Sequence, residues 1–422
     1  MKRIRLPRSI SLNSVFIYLG LFCVSTFALL EHITISISAF SPVKLYLMYA
    51  GFACVLTQLK TISRCILKKK YFYMLVTVLV FCMFLGISML SNRGSVGGMP
   101  LYSTVRFILF LVNTFALMIV LAETGRGKAA LKFIFWYMLL IVIINDALML
   151  SRVLTFGTAR HENYIVGTKF SVSYLHMDLL TLWLVLYAKK RRGVRKGKLA
   201  VLVVTAFIVM IAIRTNCMTG LLGCIMLAFM FGWLQTKGGY RLYRLVSPGV
   251  LTVAVVISVL FIIVVDTIVS IPVVRYLVED VLNRDTSITG RTNIYGILFE
   301  NMRGHWLQGY GYGNDNEIAM KLFGYANVQN GLMQWVLQIG IPATGSMLAV
   351  FAQSFRQLKH SSAEKREFVM PLVILVYLYV ILATIETTFN KAFILWFALI
   401  FMLVAERREP QMAEQIQGVE ST

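Results

Sequence analysis

The feature that most constrains this chain is a succession of apolar segments, each roughly 17–22 residues long. A helix of that length crosses the ~30 Å hydrocarbon core of a bilayer. Apolar residues make up 58% of the 422 residues, whereas a soluble protein of this size rarely exceeds one half. The sequence therefore predicts an all-α integral membrane protein, and the segments leave no room for a soluble domain of ordinary size.

We predict about twelve transmembrane helices, with one long external loop between the ninth and the tenth. Residues 1–268 then hold nine spans, residues 269–328 form the loop, residues 329–405 hold three spans and residues 406–422 form a tail. The basic N-terminus resembles a signal peptide, but no small-residue cleavage site follows, so we expect a retained first helix. The predicted spans are 12–30, 43–59, 71–90, 103–122, 131–150, 172–188, 199–213, 217–234, 247–268, 329–353, 368–386 and 391–405.

The orientation follows from the lysines and arginines, which are enriched in cytoplasmic loops. With the N-terminus inside, the inside segments carry 28 of the 41 basic residues, and the opposite orientation leaves 13 inside. We therefore predict a multi-pass protein of the cytoplasmic membrane with both termini in the cytoplasm. The same distribution explains the net charge of +22 without a nucleic-acid partner.

The six cysteines lie within or beside apolar segments. They have neither the spacing of metal ligands nor that of a disulfide framework. We expect them to act as small apolar side chains, and the sequence predicts no metal and no cofactor.

Charged and titratable residues inside the predicted spans lie near one end of those spans. Such residues are costly in a membrane and tend to face a bundle interior or a wet cavity. Secondary transporters instead place their sites near the midplane and are built from repeats. We therefore expect a polar cavity open to the outer leaflet, where a lipid headgroup is handled. The residues are Arg106, Asp146, His176, Asp178, Arg214, Asp266 and Glu386.

The predicted external loop is polar and aromatic, with five basic and six acidic residues, so it is not a generic basic patch. Its arginines are expected either to form ion pairs or to bind an anion, since the planar guanidinium suits phosphate. Gly309, Gly311 and Gly313 allow a sharp turn or a close approach to a ligand. The loop's Trp and Tyr residues suit stacking on sugar rings or, equally, anchoring at the membrane interface.

Three stretches of this late region carry a family resemblance. "TGRTNIY" lies in the loop, "WLQGYGYG" follows, and "NVQNGLMQWVLQIGIPATG" leads into the next span. The arrangement resembles the O-antigen ligase and polysaccharide polymerase (Wzy-type) family of membrane glycosyltransferases. The resemblance covers about residues 200–350, and the first half of the chain matches only in hydropathy.

The resemblance implies a role for Gly290 and Arg291, which match the family's loop Gly-Arg pair. The arginine is expected to hold the pyrophosphate of an undecaprenyl-linked donor. Asn330 matches the second residue of the family's His-Asn pair, but Gln329 stands where the family has His. Since glutamine cannot take a proton at neutral pH, the usual base is missing.

A second departure lies between two mid-chain spans. The family's Ser-Arg pair aligns there with Cys217 and Met218, which leaves Arg214 as the nearby cation. The resemblance implies metal-independent transfer, in which an acceptor hydroxyl attacks the anomeric carbon and the lipid pyrophosphate leaves. Cations are needed to stabilise the leaving anion.

Three functions stay open: polymerisation of lipid-linked repeat units, ligation of a finished chain to another acceptor, and transport of the lipid-linked unit. The implied partners are an undecaprenyl-pyrophosphate-linked glycan, the lipid bilayer, and a chain-length regulator and flippase of the same pathway. The catalytic candidates are His305, Asp178 and Gln329, with His176, Asp146 and Glu317 as further base candidates. The substrate-binding candidates are Arg291, Arg214, Arg303, Arg160, Gly290, Asn330, Tyr295 and Tyr312.

Overall fold

The computed structural model describes residues 11–93, 100–151, 164–187, 195–234, 236–276, 279 and 291–406. Over these ranges the chain is helical and contains no strand, as predicted. The α-helices of the described residues are α1 (Leu12–Leu29), α2 (Ile33–Ser36), α3 (Phe40–Leu56), α4 (Leu59–Cys65), α5 (Lys69–Ser91), α6 (Pro100–Glu123), α7 (Gly127–Ser151), α8 (Lys169–Tyr187), α9 (Arg195–Arg214), α10 (Met218–Leu234), α11 (Pro248–Val269), α12 (Pro272–Tyr276), α13 (Arg291–Asn301), α14 (Asp315–Phe323), α15 (Gly331–Lys359), α16 (Ala363–Leu382) and α17 (Lys391–Ala405), and a 3-10 helix spans Lys237–Val246.

Each of the twelve predicted spans coincides with one of these helices. Among the described residues, six helices are long and apolar enough to cross a membrane, and eight spans result if each of two bent helix pairs counts as one. This confirms an all-α fold with several membrane-spanning helices. The number twelve stays a prediction, because α17, for example, has only 15 residues, about 22 Å of helix.

Helix α17 forms the centre of the bundle. It packs against α1, α6, α15 and α16, and its residues from Phe393 to Ala405 are buried. A helix that is apolar on every side belongs inside a bundle and not at its lipid-facing surface. Its first residue, Lys391, therefore lies in the middle of one end of the bundle. Asn390 caps this helix, accepting a hydrogen bond from the Phe393 amide at 3.0 Å.

Helix α15 is kinked at Gly340, where φ is +76° and ψ is 174°. In a regular helix, each N–H donates to the carbonyl four residues earlier. Pro342 has no N–H, so the Gln338 carbonyl has no donor within the helix. The kink likewise separates the Leu337 carbonyl from its usual partner. The sequence "QIGIP" therefore creates two free carbonyls in the middle of the bundle.

The missing donors come from residues 302–314, which we call the external segment because the sequence predicts that side for it. The Tyr310 amide donates to the Leu337 carbonyl at 2.8 Å, and the Gly311 amide donates to the Gln338 carbonyl at 2.8 Å. Buried carbonyls without partners are costly, so the kink and the loop stabilise each other.

The glycines of "GYGYG" serve this contact. A Cβ at Gly309 would lie 2.5 Å from the backbone of Gln338, and a Cβ at Gly340 would lie 2.2 Å from the carbonyl oxygen of Leu307. The expectation of a close approach is met, but the Gly309 backbone approaches a helix and not a ligand.

The described part of the predicted external loop is compactly folded. Helices α13 and α14 pack together over an apolar core that includes Leu298, Met302 and Ile318 and continues into α15 through Leu337. Disordered segments are poor in aromatic residues, and the aromatic-rich residues 291–328 are ordered into helices and turns.

Candidate functional site

Three basic side chains meet around one aromatic ring at the Lys391 end of the bundle. Lys44 from α3, Arg106 from α6 and Lys391 from α17 lie 5.7, 5.8 and 5.5 Å from the centre of the Phe27 ring, near the end of α1. Cations within about 6 Å of an aromatic face are attracted by its quadrupole. We call Lys44, Arg106 and Lys391 the cation cluster.

One carboxylate, that of Glu31, pairs directly with this cluster. It forms an ion pair with Lys391, and the Lys44 ammonium donates to the Glu31 backbone carbonyl at 2.7 Å. Burial raises the pKa of the Glu31 carboxyl, but the neighbouring cations, Lys391 foremost, outweigh burial and lower it to about 2. Glu31 is therefore ionised at neutral pH.

The cluster nevertheless carries excess positive charge. Lys44 is only 7% exposed, and the Nε atom of Arg106 is buried without a hydrogen-bond partner among the described residues. Asp315 lies within electrostatic range of Lys391, yet burial raises the pKa of this carboxyl, and its Oδ2 is occupied by the Gln334 amide at 2.7 Å. Among the described residues, three cations against two carboxylates leave at least one charge uncompensated. Since buried charges are stable only when paired, this site is suited to an anion.

Aromatic rings border the cluster. Tyr312 stacks on Phe107 with ring centres 4.4 Å apart, and the Tyr102 ring lies 4.9 Å from the Arg106 guanidinium. Burial raises the pKa of Tyr312 to about 12, so its hydroxyl stays protonated and able to donate. Cations beside aromatic faces and a phenol hydroxyl are chemically suited to a phosphate group next to a sugar.

The structure therefore brings one predicted binding residue, Tyr312, to the cluster. Tyr295 is buried, and its hydroxyl donates to the Gln329 carbonyl at 3.2 Å. Asn330 is also buried. Its Oδ1 caps α15 by accepting from the Met333 amide at 3.0 Å, and its Nδ2 donates to the Ser258 carbonyl at 3.1 Å. Both side chains thus have structural contacts that the sequence did not indicate.

Gln329 has a φ of +57°, an uncommon value for a residue with a side chain. Such backbone conformations cost about 1–3 kcal/mol and cluster at functional sites. The residue lies directly before α15, next to the Asn330 cap. The turn is therefore held in a strained shape by the surrounding contacts.

Among the described residues, the other candidates that the sequence predicts for the site are not gathered at the cation cluster. His305 stacks on Tyr310 with ring centres 4.0 Å apart, and within the described residues no contact joins it to the cation cluster. Arg214, Arg303 and Glu317 are exposed. The Arg291 side chain, Gly290, Arg160 and the Asp266 side chain lie outside the described residues, so their roles stay predictions.

The acidic residues and the histidine of α7 and α8 have hydrogen-bond partners inside the bundle. His176 Nδ1 lies 2.8 Å from the Val172 carbonyl, which only accepts, so Nδ1 carries a hydrogen. His176 Nε2 faces Asp146 Oδ2 at 3.0 Å, and a proton must lie between them as well. Asp178 accepts from the Tyr379 hydroxyl. Asp146, His176 and Asp178 are all buried. Asp146 and His176 therefore satisfy each other, and Asp178 is satisfied by Tyr379, so the three residues do not form one polar site.

Sequence reasoning missed Lys44, Lys391 and Glu31. A signal was available, since each lies at an end of a predicted span on the side where the other charges cluster. Glu386 had been noted only as a span-ending charge. In the structure, Glu386 Oε1 accepts a hydrogen bond from the Thr219 hydroxyl at 3.3 Å. Thr384 lies in the same loop as Glu386, and its carbonyl is 3.5 Å from Asn330 Nδ2.

No protein-family model matches the chain, and no curated protein matches it significantly. The resemblance to the O-antigen ligase and polymerase family therefore rests on the three sequence stretches quoted above.

Proposed function

We propose that the protein is a metal-independent membrane glycosyltransferase. It polymerises undecaprenyl-pyrophosphate-linked repeat units into a surface polysaccharide, such as an O-antigen, capsule or exopolysaccharide, on the external face of the cytoplasmic membrane. The observation that carries the proposal is the cation cluster, whose excess positive charge is partly buried beside aromatic rings. A lipid pyrophosphate supplies the missing negative charge.

In the proposed reaction, a hydroxyl oxygen of the acceptor glycan attacks the anomeric carbon of the donor. The bond from that carbon to the pyrophosphate oxygen breaks, and the hydroxyl proton passes to a base. Lys44, Arg106 and Lys391 stabilise the charge that develops on the leaving pyrophosphate, an effect that is often the largest single contribution to such catalysis. Arg291 and Arg214 stay candidates for additional contacts.

Because Gln329 cannot accept the proton, another group must do so. Glu386 is a candidate, since it is a carboxylate in the loop that Asn330 contacts and lies five residues before Lys391. His305 is a second candidate and is the more exposed of the two. A positioned base typically contributes about 10²–10⁴-fold to such a reaction.

Reconstitution tests the function directly. The purified protein is placed in liposomes with an undecaprenyl-pyrophosphate-linked repeat unit, and lipid-linked products are separated by size. A ladder of longer chains supports the polymerase. Transfer that occurs only after a separate acceptor is added identifies a ligase, and movement of the unit across the bilayer without a new bond identifies a flippase. Either of the last two results contradicts the proposal.

The proposal requires the cation cluster to face outward, with both chain termini in the cytoplasm. We expect a cysteine at Lys321, exposed on α14, to react with a membrane-impermeant maleimide in intact spheroplasts of a cysteine-free variant. A cysteine at Ala363, exposed at the start of α16, should react only after permeabilisation. Labelling of the Ala363 position in intact spheroplasts would show that the orientation is reversed.

A further inference from the structure

A second charged feature lies at the opposite end of the bundle from the cation cluster. Helix α17 runs between them, from Lys391 in the cluster to Ala405 at the rim of a cavity of about 700 Å³. The first turn of α5, the last turns of α15 and the start of α16 form the other walls. This volume is in the range of cavities that hold small ligands. The transfer reaction proposed above makes no use of it.

The cavity is strongly basic. Its lining contains five basic or titratable nitrogen groups and one carboxylate, that of Glu406. The carboxylate is engaged elsewhere, since it accepts from the Gly127 amide at 2.7 Å. The nitrogen-bearing side chains are those of Lys69, Lys70, Arg356, His360 and Lys365.

Two of these lysines are fixed by the end of α17. Lys365 donates to the Val404 and Glu406 carbonyls at 2.6 and 2.7 Å, and Lys70 donates to the Ala405 carbonyl at 2.9 Å. Lys69 and Arg356 are exposed at the rim, and no carboxylate pairs with either of them in the described part of the chain. The rim can therefore bind an anion without breaking an existing ion pair.

An apolar stripe leaves the cavity along α5. Lys69 and Tyr73 line the cavity. Further along α5, residues spaced alternately by three and four positions lie on the same face of the helix as Lys69 and Tyr73. All are exposed, with Met83 54% and Ile87 47% accessible. In a membrane-spanning helix, such a stripe faces lipid. Its members after Tyr73 are Val76, Val80, Met83 and Ile87.

We propose that this cavity binds the phosphate headgroup of an anionic phospholipid, with an acyl chain along the α5 stripe. Lys69 and Arg356 contact the phosphate at the rim, and the fixed Lys365 contributes positive potential behind it. Basic pockets between transmembrane helices at the membrane surface are suited to such headgroups. The shared chemistry of the ligand is a phosphate group, and the apolar stripe favours a lipid over free phosphate as its source.

Binding is measured with the full-length purified protein in a neutral detergent, as a rise in unfolding temperature on titration with phosphatidylglycerol, phosphatidylcholine or inorganic phosphate. We expect stabilisation by phosphatidylglycerol alone. The double variant Lys69→Gln/Arg356→Gln should bind about 25-fold more weakly, because each basic residue near an anionic lipid is worth about fivefold. The matched control is Lys60→Gln/Lys359→Gln, which removes two exposed charges from the same end of the bundle outside the cavity and should bind normally.

Four results would overturn the proposal. Equal stabilisation by inorganic phosphate would make the site one for free phosphate, and equal stabilisation by phosphatidylcholine would show that charge is not recognised. An equal loss in the control variant would reduce the effect to general surface charge. Binding of phosphatidylglycerol only after removal of residues 407–422 would show that the tail occupies the cavity.

Discussion

Arg106→Met should lower glycan transfer by about 10²-fold or more, while the unfolding temperature of the purified protein stays the same or rises. The loss is that expected for removal of a group that stabilises the leaving anion. Stability should not fall, because Arg106 Nε is buried without a hydrogen-bond partner and no carboxylate within the described ranges pairs with the side chain. The guanidinium contacts the rings of Phe27 and Tyr102, beside which the methionine side chain can also pack.

Two further variants sharpen this result. Arg106→Lys keeps the charge but loses the planar fork that donates two parallel hydrogen bonds, so we expect intermediate activity. Arg126→Met is the matched control, since Arg126 follows the other end of α6 and also has a buried guanidinium nitrogen without a hydrogen-bond partner among the described residues. It should transfer glycan normally. Full activity of Arg106→Met, or a melting temperature that falls together with its activity, would contradict an anion-binding role.

Gly340→Ala should be the most damaging single substitution in the external half of the protein. The residue has a φ of +76° and a ψ of 174°, a region essentially restricted to glycine, where a side chain costs about 1–3 kcal/mol. Its Cβ would also lie 2.2 Å from the Leu307 carbonyl oxygen, and relief of such overpacking typically costs another ~1–3 kcal/mol. The external segment must then move away from α15, which leaves the Leu337 and Gln338 carbonyls without donors. We expect a large fall in unfolding temperature and rapid proteolysis between residues 302 and 314.

The Gly304→Ala variant distinguishes the cost of backbone strain from the cost of losing the contact between the external segment and α15. Gly304 has a φ of +81° in the same external segment, but an added Cβ would meet no atom within 4 Å. It should therefore show only the strain cost, with proteolysis unchanged. Equal effects of Gly304→Ala and Gly340→Ala would mean that docking of the segment onto the kink does not stabilise the protein.

The positions of the helices were predictable because the length and composition of an apolar segment are local properties. The segments predicted at 71–90 and 103–122, for example, correspond to α5 (Lys69–Ser91) and α6 (Pro100–Glu123). The ends matched less closely, since the span predicted at 368–386 corresponds to α16 (Ala363–Leu382). Hydropathy does not indicate how each helix is rotated about its own axis. Lys44 and Asp178 both lie inside predicted spans, and hydropathy does not show that one faces the cation cluster and the other a tyrosine hydroxyl.

The glycine-rich stretch likewise has a property that the sequence indicates and a partner that only the structure shows. The sequence indicated that Gly309 and its neighbours allow a close approach, because glycine lacks a Cβ. It did not indicate what they approach, and the partner is the backbone of α15 at the Gly340 kink, about 30 residues later. Asn330 was selected by its place in a motif, and the structure adds that its side chain caps a helix.

The sequence by itself thus determined that the described chain is helical, where the apolar helices lie and at which end of the helices the charges cluster, since all three depend on neighbouring residues. Only the tertiary structure decided that Glu31, Lys44, Arg106 and Lys391 form one site. These residues come from parts of the chain up to 360 positions apart. In helices that are apolar on almost every side, the sequence does not indicate which face contacts which neighbouring helix. These charges are therefore brought together by helix packing, and the hydropathy pattern does not predict it.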